Sequence, residues 1–438
     1  MPSHMHFVVV GGGITGLTIA WELNRRGHQV TLVERSGIGG LAGGFPYPGK
    51  PETFLERFYH HIFTSDELIQ QLIEQMGLAQ GLIWRPTLSG LVAEGKLWPM
   101  RGPTDLLRFK PVGGLLSRLR LGWALFRLRQ TKKWENLDRL TCREFFVGHG
   151  ATQGYERMWS PLLRAKFADF AEEASAAFLW GRVVPRAGSR HKHREHLGYL
   201  RGGFQKLFRA MGDALIPAGV RMILGQPVNR VIPGKNCQVV IGEETISCDQ
   251  VVWTASLSLL ARVLDSEAAE PIRRQLPKIP YMAVTVLILA LSEPLSEYYW
   301  LNNIDPTVSF GAVIEHTNLA PPEDYGGEHI VYVVNYHLQE DSRFLSKSTE
   351  ELLQYHEPSL ERIFSRYSRA KIRRLFLSQD LFASPVYRVG FKSLMPPQRG
   401  LVPGVDICNM AQVYPYDRNM NHCVQNAVEY VRTYFGSG

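Results

Sequence analysis

An apolar run, Phe7 to Val10, leads straight into Gly11-Gly12-Gly13-Ile14-Thr15-Gly16, after which the apolar spacing becomes helical until a second run, TLVE, ends at Glu34. That order predicts strand, glycine turn, helix and strand. Beyond Glu34 no further strand follows at once. Arg35-Ser36-Gly37-Ile38-Gly39-Gly40-Leu41-Ala42-Gly43-Gly44 is a second glycine-rich stretch, suited either to a surface loop or to lying along an extended buried ligand. Ser65-Asp66-Glu67 then precedes a predicted helix with Leu68, Leu72, Ile73 and Met76 on one face. From Asp105 to Trp134 leucines and arginines dominate, and on a helical wheel the arginines form two clusters that separate two apolar faces. Such a helix is either packed on both sides, with snorkelling arginines, or laid on a membrane surface.

The pattern changes again at Gly202-Gly203. Phe204, Leu207, Phe208, Met211 and Leu215 share one helical face, Gly219 ends that helix, and VRMIL, a short strand in GQPVNRVIPG and the apolar DQVVWTAS follow as strands. From Ile279 to Asp341, VTVLILALS, VSFGAVIEHT and HIVYVVNYHL predict an antiparallel sheet, and Thr349 to Phe364 predicts a helix. The longest apolar stretch, Met282 to Leu291, falls short of the roughly 18 residues of a membrane span and reads as a buried strand. These switches assign 1–65, 200–265 and 380–438 to one discontinuous domain, and 66–199 and 266–379 to a second, part helical and part antiparallel sheet. No internal repeat is visible.

Composition adds two points. With 438 residues, 45% of them apolar, the chain can build two or three well-filled domains. Its five cysteines, Cys142, Cys237, Cys248, Cys408 and Cys423, are scattered and odd in number, as expected of free thiols in a reducing compartment, and no zinc knuckle is present. Because the first strand begins at Phe7, no secretory signal fits ahead of it, and a cytoplasmic location is expected. The net charge of +8 is uneven: nine bases against Asp105 from Arg101 to Lys133, and eight against Glu195 from Arg182 to Arg209. Such concentrations point to an anionic, for example phosphate-bearing, small substrate, or to peripheral contact with an anionic membrane. Nucleic acid is not expected, since neither segment lies in a recognisable nucleic-acid module.

The N-terminal unit has the parts of an adenine dinucleotide site. Gly11 permits a sharp turn, and Gly13 lets the backbone, with Ile14 and Thr15 in the first helical turn, approach a pyrophosphate. Gly16 lets helix and strand pack closely, Glu34 is placed to accept ribose hydroxyls, and Val228 would sit beside the adenine. Glu315, His316, Thr317 and Asn318 end a predicted strand and either bind substrate hydroxyls or form a surface turn into Pro321-Pro322. Tyr299, Trp300 and Tyr336 are either an aromatic wall or core. His191, His193 and His196 have a spacing that metals use, but the bases around them repel a cation, and no metal is expected.

The glycine run after Glu34 is similar to that of the FAD-binding, glutathione-reductase-like flavoproteins. The C-terminal GLVPGVDICNMAQVYPYDRNMNHCVQNAVEYV resembles the closing strand, loop and helix of the amine oxidase, protoporphyrinogen oxidase and UDP-galactopyranose mutase superfamily. FYHHIF, YYWLN, VIEHTNL and NMAQVYPYDR carry the likeness to bacterial FAD-dependent oxidoreductases related to protoporphyrinogen oxidase. The resemblance implies an α/β fold, a discontinuous glutathione-reductase-like FAD-binding Rossmann domain with an α+β substrate domain. It implies FAD as cofactor, held by Arg35, Gly40, Leu41 and Ala42 along the pyrophosphate and ribityl chain and by Asn409, Met410 and Asn421 near the flavin. The family commonly has Gly-Asp where this chain has Asn409-Met410. His60 and His61 follow the glycine loop where the chain should pass the flavin; one touches the ring or substrate, or His61 is a hydrogen-bonded core residue. The implied activity is removal of a hydride from a C–N, C–C or C–OH centre. FYHHIFTSDE and VYPYDRNM also resemble the mutases, so a non-redox flavin mutase acting on a nucleotide sugar or lipid-linked sugar phosphate is the alternative. A scaffold protein that keeps FAD for stability is the third class.

Overall fold

The computed structural model describes residues 4–188, 190–191, 194–265, 267–275 and 278–435. The run Phe7–Val10 lies at the centre of a five-stranded parallel sheet, ordered Arg221–Leu224, Gln29–Glu34, His6–Val10, Gln250–Trp253, Val405–Ile407. Val8 pairs with Thr31 on one side and Val251 on the other. A strand so placed is covered on both faces, which is why its apolar residues are continuous instead of alternating. The helices Ile14–Arg25, Gln205–Leu215 and Met420–Phe435 come from three distant parts of the chain, and the first packs against both others.

Tyr281–Leu291, buried along its whole length, is the second strand of a seven-stranded sheet. The order is Ile372–Pro385, Tyr281–Leu291, His329–His337, Ala312–Glu315, Trp300–Asn303, Ser89–Ala93, Lys96–Pro99. Its pairings are antiparallel except that Trp300–Asn303 runs parallel to Ser89–Ala93. Two departures from the sequence pattern stand out. The edge strand continues through Pro385, past the expected boundary at 380, because its pairing with Tyr281–Leu291 resumes after a register shift between Met282 and Val284 and reaches Pro385. Ser89–Ala93 and Lys96–Pro99, which fall within the expected helical part, join this sheet through Trp300–Asn303, a tertiary pairing that no local periodicity marks. Val228 lies in an irregular segment before the strand Arg230–Ile232 and not on a strand.

A helical layer includes Pro103–Arg108, Leu115–Gln130, Ser160–Phe167 and Ala176–Gly188, and Ser160–Phe167 packs on the strands Trp300–Asn303 and His329–His337 of the seven-stranded sheet. One turn before Ser160, Tyr155–Trp159 is π-helical, a widening that often accompanies functional sites. No helix among the described residues is long and apolar enough to cross a membrane. All five cysteines are buried and free.

Candidate active site

The two glycine turns meet. Gly39 N–H donates to the Gly12 carbonyl at 2.8 Å, and Gly13 and Gly39 form an isolated parallel bridge. Gly11 holds φ +112°, and a Cβ on Gly16 would run into the Gly11 carbonyl, so both positions need glycine. A Cβ on Gly13 would meet only Gly40 Cα, at 3.9 Å; it would fill the groove without hitting the fold. The helix Ile14–Arg25 starts at Gly13 with no side-chain cap and no acidic residue in its first turn, leaving the N–H groups of Ile14 and Thr15 for an anion. Glu34 is fixed at the far end: one carboxylate oxygen accepts from Gly12 N–H at 2.8 Å, the other from Ser36 N–H at 2.9 Å. The Val228 segment runs alongside, with Gln226 N–H donating to the Glu34 carbonyl. These residues fit an extended dinucleotide.

Other expected cofactor residues have visible structural duties. Arg35 is exposed and faces Asp380 at 3.8 Å. Asn409 is buried; its amide donates to the Ala255 carbonyl at 2.9 Å and accepts from Ala411 N–H at 3.0 Å, which holds the closing loop with Met410 in place. Asn421 accepts from Ile69 N–H at 3.1 Å, tying the closing helix to Glu67–Gln75. Gly40 and Ala42 belong to the short turn Gly40–Ala42.

Between them in sequence, Leu41 lines a cavity of about 820 Å³, and Met420, the first residue of the closing helix, lines it too. The glycine groove therefore opens into this chamber. His60 and His61 both line it. Phe58 carbonyl lies 2.6 Å from His60 Nδ1, so Nδ1 carries the proton and Nε2 is left as an acceptor. Burial lowers His60 to about 4, and it is neutral at pH 7. His61 Nδ1 is 3.0 Å from the Tyr299 hydroxyl, and its ring meets Phe63, Tyr299 and Trp300 edge-on. Tyr299 is buried behind His61, whereas Trp300 and Tyr336 form cavity wall.

Glu315 and His316 do not join this chamber. The Glu315 carboxylate accepts from Leu295 N–H and Ser296 N–H, both at 2.8 Å, and so fixes a loop on the other side of the strand Ala312–Glu315. His316 bonds to the Tyr325 hydroxyl at 2.9 Å within a buried Glu56–Tyr199–Tyr325 network. Both residues are also buried, so the surface-turn alternative does not describe them either. Of the histidine triplet, His193 and the side chain of His191 lie outside the described residues. Among the described residues no group of His, Cys, Asp and Glu could hold a metal ion.

The strongest electrostatic feature was not foreseen from the sequence. Lys166, Arg182 and Arg418 converge on Asp417: Lys166 Nζ at 4.0 Å and Arg182 Nη1 at 3.3 Å from its carboxylate, with Arg418 its chain neighbour. A Cβ on Gly181 would run into the Pro415 carbonyl; the missing side chain lets the closing loop lie against the helix that carries Arg182. Lys166 also stands over the Tyr336 ring, 5.1 Å from its centre. Arg418 Nη2 donates to the Tyr336 hydroxyl at 2.7 Å, which lies 3.4 Å from that of Tyr59. Burial, opposed by Asp417, brings Lys166 down to about 8. Burial resists ionisation of Tyr336, yet Arg418 and Lys166 outweigh it and hold this phenol below the usual range, while burial pushes Tyr59 well above it. Arg418 Nε and Trp159 Nε1 are buried beside the cavity without a hydrogen-bond partner among the described residues. The sequence trace of this cluster is slight: the charged Asp417-Arg418 within YPYDR, and Arg182 in the otherwise apolar AAFLWGRVV.

Residues 14–405 match the family model for flavin containing amine oxidoreductase. A coproporphyrinogen III oxidase of Propionibacterium freudenreichii subsp. freudenreichii is 25% identical over 66% of this chain and 64% of its own length. A phytoene dehydrogenase of Streptomyces griseus is 25% identical over 71% of this chain and 64% of its own length. The chain thus spans less than two thirds of either relative. A crystal structure of reduced UDP-galactopyranose mutase superposes with a TM-score of 0.77 at 15% identity, covering 99% of this chain and 96% of that one, and shares the fold. With its parallel nucleotide sheet, paired glycine turns and closing loop, this chain belongs to the flavin containing amine oxidoreductase family and has the FAD-binding α/β fold of that family.

Proposed function

We propose that the protein is an FAD-dependent oxidoreductase that removes a hydride and a proton from a C–C or C–OH centre of a largely apolar molecule carrying an anionic group. One observation carries this reading: Lys166 and Arg182 flank the Asp417 carboxylate, with Arg418 beside it, in a chamber otherwise lined mainly by apolar residues. The charged lining residues among those described are Arg118, Arg129, Lys166, Arg182 and Arg418 against Glu195 and Asp417. A carboxylate or phosphate gains from such a site, whereas a protonated amine is repelled, so a C–N centre in a cationic substrate is disfavoured. The names of the relatives fit, since phytoene is a hydrocarbon and coproporphyrinogen III an apolar ring system with carboxylates.

FAD, when bound, supplies the hydride acceptor. Lys166 and Arg418 would hold the anionic group, the apolar walls exclude water, and His60, neutral and with Nε2 left as an acceptor, would take the accompanying proton. Anaerobic titration of the flavoprotein tests this. Amphipathic anions with an oxidisable C–C or C–OH bond should bleach the flavin absorbance; bleaching by protonated amines and none by anions overturns it.

A second reading, the mutase, has one specific support: Asp417 and Arg418 lie in the VYPYDR phrase, and the cation cluster would also accept a diphosphate. The apolar lining is a poor match for a sugar. Isomerisation of a sugar nucleotide by dithionite-reduced protein, without net oxidation, would establish it in place of the first.

A further inference from the structure

The helix Leu115–Gln130 has two apolar faces with different fates. Leu121, Ala124 and Leu128 are fully buried, whereas Leu115, Leu119, Trp123 and Phe126, at spacings i, i+4, i+8 and i+11, stay exposed at 57%, 50%, 53% and 49%. Trp123 and Phe126 stack on each other, ring centres 5.7 Å apart, with the Arg127 guanidinium 5.8 Å from the centre of the Trp123 ring. A contiguous apolar face of this kind on a folded protein marks a contact surface.

Three of these four residues also form part of the chamber wall. Leu119, Trp123 and Phe126 line the cavity and are exposed, as is Leu107 on the preceding helix. Arginines border the apolar face on both sides, Arg118 and Arg129 on one and Arg120 and Arg127 on the other, with Lys132 and Lys133 just beyond. Asp105, the one acid between Arg101 and Lys133, is buried and already paired with Arg101. Along this helix the face is therefore apolar at its centre and bordered by arginines alone.

We infer that this helix docks on an anionic lipid bilayer with the mouth of the chamber turned to the lipid. Trp123, Phe126, Leu119 and Leu115 enter the interfacial zone, and the arginines meet lipid phosphates. A second copy of this chain is the poorer occupant, because a two-fold contact through this face would set the same cationic borders against each other. Passage of substrate from the bilayer into the chamber rests on the apolar-substrate reading above; docking itself does not.

Co-sedimentation of the flavoprotein with sucrose-loaded vesicles tests docking without turnover. Vesicles of phosphatidylcholine with phosphatidylglycerol should carry the protein down, pure phosphatidylcholine should carry far less, and added salt should release it. Two variants separate the parts: Leu115→Ser with Leu116→Ser, at its equally exposed neighbour (59%), which leaves the cavity lining untouched, and Arg120→Glu with Arg127→Glu. Each is expected to weaken the vesicle partition at least tenfold while the flavin spectrum and melting curve stay those of the parent. Parent protein that remains in the supernatant at low salt overturns the inference. So does a serine variant that binds as the parent does, and so does a dimer in sedimentation velocity that the serine variant dissolves.

Discussion

Lys166 and Asp417 face each other across 4.0 Å in the wall of the chamber, and the same carboxylate is held at 3.3 Å by Arg182. One acid shared by two cations, with Arg418 beside it, leaves positive charge unbalanced in a poorly hydrated place. Removing a buried charge of this kind relieves a desolvation cost. Lys166→Met should therefore raise the stability of the ligand-free protein by about 1–3 kcal/mol while weakening binding of anionic substrates tenfold or more. Chemical denaturation and substrate titration of the same variant check both signs. A variant that is less stable and binds equally well would show that Lys166 has a packing role only.

The pH dependence follows from the same group. Burial, joined by Arg182 and Arg418 and opposed by Asp417 and Tyr336, brings Lys166 down to about 8. It is charged below that pH and neutral above, so kcat/KM for an anionic substrate should fall as pH rises through about 8. In Lys166→Met that step should be absent and the level low throughout. An unaltered step in the variant would assign the titration to another group.

Gly13 and Gly16 should separate cofactor binding from folding. A side chain on Gly16 collides with the Gly11 carbonyl, and Gly16→Ala is expected to cost about 1–3 kcal/mol of stability as well as flavin. On Gly13 the added methyl meets nothing closer than Gly40 Cα at 3.9 Å, so Gly13→Ala should fold normally yet purify with little FAD. Flavin absorbance per protein, read beside the melting temperature, distinguishes the two.

Glu315 should behave as a structural residue. Burial raises its carboxyl to about 7, above its ordinary value of 4.5, while the Leu295 and Ser296 N–H groups pull in the other direction. A raised carboxyl binds its proton more tightly in the folded than in the unfolded chain. Its contribution is complete below about pH 4.5, declines as pH rises and is lost above about 7. Glu315→Gln should flatten that decline in the stability curve and leave flavin reduction rates within about twofold of the parent. A large loss of flavin reduction with unchanged stability would return Glu315 to the catalytic set.

The nucleotide half of the protein was legible because its physics is local. A continuous apolar run, glycines where only glycine fits, and an acid at the end of the next strand are read in order along Phe7 to Glu34, and all of them stand where the pattern put them. Tyr281–Leu291 was legible for the same reason, as an all-buried strand. His60 and His61 were picked out by their place after the glycine loop, and both line the chamber. Glu315 and His316, polar residues at a strand end, looked as exposed or as functional as any such cluster; only the packing of Leu295, Ser296, Tyr199 and Tyr325 around them shows that their hydrogen bonds are spent inside the fold.

The cation cluster was decided by tertiary structure alone. Lys166, Arg182 and Arg418 come from two helices and a closing loop far apart in the chain, and one-dimensional spacing holds no record of which charges will share a low-dielectric pocket. The helix Leu115–Gln130 shows the same division. Its sequence determined that there are two apolar faces parted by arginines; which face the core covers, and which is left at the mouth of the chamber, depended on the helices that packed against Leu121, Ala124 and Leu128.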